Sequence, residues 1–340
     1  MSLAPRAVLV HRTTEYEELL ARHGTHGQAA FFLSTRGRSL DEVAQRHHRT
    51  QRALADVASA VPLTWRRSRV ERADLDRFLF APEDVVIVAG QDGLVANVAK
   101  YLSGQPVIGI DTEPGRNPGV LVRHRVADAG ALLRATTATA AGRRVDELTM
   151  VEAVADDGER LVALNEIYLG PPGHQTARYR IGPDAPGAGP ARGGPGSSGA
   201  PVPGASGVSR PGASGAGVGG SVPRASGAGE AQASSGVLVG TGTGATGWLR
   251  SLWQERGSAL RLPAPSDPRL LWFVREAWPS PVTGTSLVAG ELGRGQGLRL
   301  TVESDRMVVF GDGMESDALE LTWGQSVRLG ISPTSLRLVG

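Results

Sequence analysis

The sequence predicts an α/β domain followed by a β-rich, sandwich-like domain. Three observations carry that prediction. Val85–Val88 is a fully apolar, β-branched run followed by a glycine turn, a helix-like stretch and a second buried run, Pro106–Ile110. Strand, turn, helix and strand in that order make a parallel βαβ unit. Beyond about residue 140, short apolar segments alternate with turn residues, the pattern of a sandwich. Finally, Pro183 to Gln232 is almost entirely Gly, Ala, Pro and Ser with no aromatic residue. Such a segment cannot bury enough apolar surface to offset its ordering entropy. The expected division is residues 1–135 for the α/β domain, 136–182 with 233–340 for the β-rich domain, and 183–232 as a disordered insertion.

The elements follow in chain order. Ala7–Val10 reads as a short buried strand and Glu15–Arg22 as a helix. Ser39 stands three residues before Glu42, the spacing of a capping box, so a helix is expected from there to about Ala60. Leu40, Val43, Ala44, Ala53, Leu54 and Val57 would line one face of it. Val95–Leu102 is the helix of the βαβ unit, and Pro106–Ile110 its second strand, ending at Asp111. Leu148–Val154 and Arg160–Ala163 flank Asp156-Asp157-Gly158, a hairpin signal. Glu166–Leu169, Ala177–Ile181, Gly236–Val239, Leu270–Val274, Leu298–Val302, Met307–Phe310, Ala318–Leu321 and Ser326–Gly330 read as further strands. An amphipathic helix carries Trp248, Leu249, Leu252 and Trp253 on one side, and Gly257 suits its end.

Composition excludes several chemistries. Among 340 residues there is no Cys, which removes disulfides, thiolate nucleophiles and Cys-ligated zinc. Lys100 is the single lysine, and no G-K-[ST] occurs, so there is no Walker A loop. The isoelectric point near 9.4 accompanies a net charge of only +2, too weak a field to imply a nucleic-acid partner. No apolar run approaches the roughly 18 residues of a membrane span, so a cytoplasmic protein without a membrane partner is expected.

Three stretches can carry chemistry. Ala89-Gly90-Gln91-Asp92-Gly93 lies at the carboxyl end of a buried strand and opens a helix. That is where open α/β sheets bind ligands, and a helix N-terminus suits an anion. Asp92 there is a general-base candidate, or simply a turn and N-cap residue. Gly240-Thr241-Gly242-Thr243-Gly244-Ala245-Thr246-Gly247 follows a strand, and residues 242–247 match G-x-G-x-x-G. The acidic residue that a Rossmann fingerprint needs about 20 residues on is missing. Glycines for close approach and threonine hydroxyls remain, as does the alternative of a turn without a ligand. Asn165-Glu166 can read an amide or adenine edge, or end a strand as a turn. His47-His48 diverge on a helix and make a poor metal pair.

These stretches together resemble the NAD kinases, and within them the mitochondrial-type branch. VVIVAGQDGL stands where the family has a strand and GGDGT, ALNEIYLG holds its Asn-Glu pair, and SSGVLVGTGTGATGW its Gly/Thr-rich turn. IGIDTEPGRNPGVLV, VHRTTEYE, RHHRTQ and WFVREAWPSP are similar as well. The resemblance implies an N-terminal Rossmann-like, nucleotide-binding α/β domain and a C-terminal β-sandwich-like NAD-binding domain, the NAD kinase / diacylglycerol kinase-like fold. It implies phosphorylation of the adenosine 2′-hydroxyl of NAD or NADH by ATP or polyphosphate, with Mg²⁺ or another divalent cation. By position, Asp92 would be the base, and Gly90, Gln91, Gly93 and Leu94 would border the donor phosphates. Asn165, Glu166, Thr241, Thr243, Gly244, Ala245, Thr246 and Asp111 would contact NAD. Arg116, Arg123, Arg178 and Arg275 are candidate phosphate partners, no metal ligand is assigned, and a homodimer or larger homo-oligomer is expected. Gln91 replaces a glycine of GGDGT and Leu94 its threonine, so a weakened or inactive nucleotide-binding relative, or a kinase of another substrate, is the alternative.

Overall fold

A computed structural model describes residues 4–116, 119–137, 144–184 and 229–340. Its first sheet runs in the order Arg66–Glu71, Arg6–His11, Asp84–Gly90, Pro106–Asp111, Leu336–Val339, Val145–Leu148. All neighbours in it are parallel except the last pair. The short strand His124–Arg125 also pairs with Pro106–Asp111.

Strand alternation sorts the side chains of this sheet to its two faces. Ala7, Leu9, Val85, Ile87, Ile108 and Ile110 pack under Leu54 and Val57 of the helix Leu40–Ala60 and Leu132 and Leu133 of the helix Ala129–Thr137. Val8, Val10, Val86, Val88 and Val107 pack under Val95 and Val98 of the helix Asp92–Ala99. This second face also takes Leu148, Leu164, Leu336 and Leu338, so it meets the rest of the chain.

The remainder forms two six-stranded antiparallel sheets. One runs Glu230–Ser234, Ala177–Pro183, Gly297–Val302, Ser326–Ile331, Val151–Ala155, Arg160–Ala163. The other runs Ala289–Gly293, Arg269–Arg275, Gly236–Gly240, Glu166–Gly170, Met307–Gly311, Met314–Leu321. One core between them contains Val151, Leu161, Tyr179 and Leu300 from the first and Ile167, Val237, Val239 and Val309 from the second. On the outer face of the second sheet, Tyr168, Leu238, Leu271 and Phe273 pack under Leu249 and Leu252 of the helix Trp248–Glu255.

The expected strands are present except Leu148–Val154, which is broken: Leu148 closes a strand of the first sheet and Val151 opens one of the sandwich. The helix expected over Val95–Leu102 runs Asp92–Ala99, the helix Ala129–Thr137 and the strand Ala289–Gly293 are additional, and further points differ. Ser39 is the N-cap of its helix but its side chain makes no capping bond; the capping box forms instead between Thr14 and Glu17 at the helix Glu15–His23. The helix His26–Ser34 and the edge strand Arg66–Glu71 carry no clear apolar period and were not anticipated. The last strand returns to the first sheet rather than to the sandwich. Glu230–Gln232 pair with Tyr179–Ile181, and Asp184 is held by Arg299 and Arg328, so both ends of the expected disordered insertion are ordered. The rest of that segment, 185–228, lies outside the described residues.

Candidate functional site

The strand Asp84–Gly90 ends at the carboxyl edge of the first sheet, and Asp92 is the first residue of the helix that follows. Its carboxylate accepts the backbone N–H groups of Val120 (2.8 Å), Leu121 (2.9 Å) and Val122 (2.9 Å). A carboxylate has about four acceptor positions, so three are occupied and one is left. The 120–122 segment reaches Asp92 because it crosses Gly109, where a Cβ would stand 2.1 Å from the Leu121 carbonyl oxygen. Gln91 has φ −122° and ψ 164°, ordinary extended backbone, so its position makes no demand for glycine.

The Leu164–Glu166 turn is held from two sides. The Thr241 hydroxyl donates to the Leu164 carbonyl (2.6 Å), and the Thr241 amide to that of Asn165 (2.9 Å). From the other side, the Asp312 carboxylate accepts the amides of Leu164 (2.8 Å) and Asn165 (2.7 Å), with Glu166 at 3.4 Å. Burial pushes the Asp312 carboxyl up to about 6, against the opposing pull of these amides and of Lys100. Burial, and then the charge of Asp312, pushes the Glu166 carboxyl up to about 7. The Glu166 carboxylate has no hydrogen-bond partner among the described residues.

The Gly240–Gly247 stretch is shaped by close approaches. A Cβ on Gly242 would stand 2.0 Å from the Ala264 carbonyl oxygen, and one on Gly244 would stand 2.4 Å from that of Asn165. The amides of Thr243 (3.1 Å) and Gly244 (3.3 Å) donate to the Thr241 hydroxyl. Among the described residues the buried Thr243 hydroxyl has no partner. Trp248 stacks on Tyr168 at 5.4 Å, and the Arg275 guanidinium sits 5.5 Å from its ring centre.

Asp92, Gly93, Asn165, Glu166, Thr243, Gly244 and Thr246 line one pocket of about 140 Å³, with Trp248 also in its lining. Gly90, Gln91, Gly93 and Leu94 border a second cavity of about 490 Å³ that also holds Arg12, Arg46, Arg72 and Arg116. Gly93 belongs to both, so the two spaces meet at the helix N-terminus.

Other predicted residues lie elsewhere. Thr241 is fully buried behind the pocket wall, and Ala245 packs against Leu249. Asp111 accepts the Glu113 amide (2.8 Å) in a turn outside both spaces. Arg123 pairs with Asp146, and Arg178 is exposed on a sandwich strand. The His47 ring bonds the Thr14 hydroxyl (2.8 Å). Among the described residues no group of three His, Asp or Glu side chains could hold a metal ion.

Sequence reasoning missed Asp312, Trp248 and Arg12, Arg46 and Arg72. The Asp312-Gly313 pair signals only a tight turn, and an arginine in a sequence says little about where it points.

No family model matches the sequence, and no curated protein matches it. Among solved structures the chain is similar to yeast NADH kinase complexed with NADH, with a TM-score of 0.54 and 11% identity over 99% of this chain and 84% of that one. The likeness shows a shared fold: one parallel sheet combined with antiparallel sheets.

Proposed function

We propose that the chain is a kinase of a nicotinamide adenine dinucleotide, moving a phosphate from ATP or polyphosphate to the adenosine 2′-hydroxyl of NAD or NADH. One observation carries the reading. Among the described residues the Glu166 carboxylate has no hydrogen-bond partner in the pocket that Asp92 borders, and the buried hydroxyl of Thr243, a residue of the same lining, has none either. Unpaired buried polar groups cost stability, and folds retain them where a ligand completes them. The solved NADH complex of a protein with the same fold supports the choice of ligand.

In this reading the dinucleotide's adenosine ribose lies against Asn165, Glu166 and Thr243. Glu166, near half-protonated at neutral pH, donates to or accepts from a ribose hydroxyl or adenine edge. The 2′-hydroxyl presents its proton to the open acceptor position of Asp92. As that proton leaves, the oxygen attacks the terminal phosphorus, and the bond from phosphorus to the donor's bridging oxygen breaks. The donor's phosphates occupy the larger cavity, where Arg12, Arg46 and Arg116, paired with Glu18, Glu15 and Glu113, would exchange those partners for phosphate oxygens, and Arg72 is held by Asn97.

A divalent cation when bound would neutralise donor phosphate charge. Magnesium commonly takes one or two carboxylates together with substrate phosphates. The described side chains offer no three-ligand cluster, so they do not form a metal site on their own.

A second reading, nucleotide binding with little transfer, is favoured by the three amide bonds that already occupy Asp92. Saturation binding of NAD and NADH, followed by NADP(H) formation with ATP and Mg²⁺, separates the two. Binding with turnover supports the kinase, and binding without turnover supports the second reading. No binding of either dinucleotide removes both.

A further inference from the structure

We propose that Asp312 is a positioning residue, fixing the Asn165–Glu166 turn against the helix that begins at Asp92. The proposal rests on the kinase reading only for its consequence on turnover.

Asp312 and Gly313, at φ +54° and +67°, form the two-residue turn between the strands Met307–Gly311 and Met314–Leu321. Asp-Gly suits such a turn, and Asn-Gly suits it as well or better. A turn residue ordinarily leaves its carboxylate in water. This one is turned inward onto the amides of Leu164, Asn165 and Glu166, about 150 residues away in the chain.

The backbone of Asp312 makes two further ties. Its amide donates to the Glu166 carbonyl (3.1 Å), and its carbonyl accepts the Asn97 side-chain amide (3.2 Å). Asn97 belongs to the helix Asp92–Ala99, and its own oxygen takes the Arg72 Nε (2.7 Å). Just past that helix, Lys100 ion-pairs with Asp317 (2.6 Å) and reaches the Gly311 carbonyl (3.4 Å). One turn therefore grips both carboxylate-bearing segments of the pocket: the helix of Asp92 through Asn97 and Lys100, and the Glu166 segment through Asp312. Tolerances of about half an ångström decide whether such a site works, so loosening this grip falls on function before it falls on the fold.

Asp312→Asn keeps the turn and removes the charge. It faces an amide NH₂ towards backbone donors, so the Leu164–Glu166 amides lose acceptors. Hydrogen exchange by mass spectrometry on full-length protein is expected to speed at these amides by roughly tenfold or more, with the melting temperature largely retained. The KM for the dinucleotide is expected to rise by a similar factor, while amides of the sandwich strands away from 164–166 keep wild-type exchange. A purely structural role would speed exchange across those strands as well. Should Asp312→Asn not fold, Asp312→Gly suits the left-handed turn and takes its place. Unchanged exchange at 164–166 in the folded variant overturns the proposal. Wild-type protein that binds NAD without forming NADP overturns the kinase reading alone, and the exchange result still decides Asp312.

Discussion

Glu166 and Asp312 are joined by two hydrogen bonds and opposed through their carboxylates. The Glu166 amide donates to the Asp312 carboxylate (3.4 Å), and the Asp312 amide donates to the Glu166 carbonyl (3.1 Å). The two acids therefore cannot separate, and burial plus mutual repulsion holds Glu166 at about 7 instead of 4.5. Below pH 4.5 both folded and unfolded chains carry the proton. Between 4.5 and 7 the folded chain holds it more tightly, so this group's stabilising contribution is lost as pH rises through 7. Glu166→Gln lacks that titration. It should exceed wild-type stability by about 1–3 kcal/mol at pH 8 and by little at pH 4.5, measured by urea unfolding. An equal difference at both pH values would count against the buried, unpartnered carboxylate.

Asp92→Asn leaves one acceptor oxygen for three amides. We expect a stability loss of about 1–3 kcal/mol, read by denaturant unfolding. Turnover should drop by roughly 10²–10⁴-fold, the range for removal of a general base, while NAD binding persists. A variant with near wild-type turnover would show that another group takes the proton.

Thr243→Val removes a buried hydroxyl that has no partner among the described residues, at nearly constant shape. Stability should hold or rise by up to about 1 kcal/mol, because no bond is lost and a polar group leaves the interior. NAD affinity should weaken about tenfold, since the ligand loses that hydroxyl. Calorimetric titration beside a thermal melt measures both, and unchanged affinity would take Thr243 out of the site.

Gln91→Gly and Leu94→Thr introduce the glycine and threonine of GGDGT at these two positions, with opposite expectations. Gln91 is exposed and in extended backbone, and glycine is an acceptable N-cap, so stability and turnover should change little, by within about 0.5 kcal/mol. Leu94 is buried among Val8, Val10 and Val88, so a threonine there should cost about 2–3 kcal/mol. Equal effects on the two thermal melts would contradict this placement.

Residues 185–228 connect two strands that pair directly, and Gly229 already approaches Gly182. Replacing them with a short Gly-Ser link should leave the melting temperature unchanged or higher, since loop-closure cost grows by only about 0.6 kcal/mol per doubling. A lower melting temperature or lost turnover would give the segment a structural or catalytic part.

Strands were legible in the sequence because burial writes itself as apolar runs. Val85–Val88 and Val237–Val239 are each buried on both faces, between two cores, and both read as unbroken apolar runs for that reason. Arg66–Glu71 was not legible, because an edge strand with Arg66, Arg67 and Arg69 lacks that signal. The pocket's Asp92, Asn165, Glu166 and Thr243 were legible as polar residues in glycine-rich or strand-end settings. Asp312 was not, because its role is set by a fold that brings residues 164 and 312 together, and no local period records a contact at that separation. Gly109 was hidden for the same reason: its need for a missing Cβ comes from Leu121 crossing above it.

Phosphate transfer at the pocket that Asp92, Glu166 and Thr243 line is read by incubating purified protein with NAD or NADH, Mg²⁺ and ATP labelled in its terminal phosphate, and identifying the labelled product. Label is expected in NADP or NADPH, and is expected to vanish when Asp92 is replaced by Asn. Dinucleotide that binds and never acquires the label, from ATP or from polyphosphate, refutes the transfer.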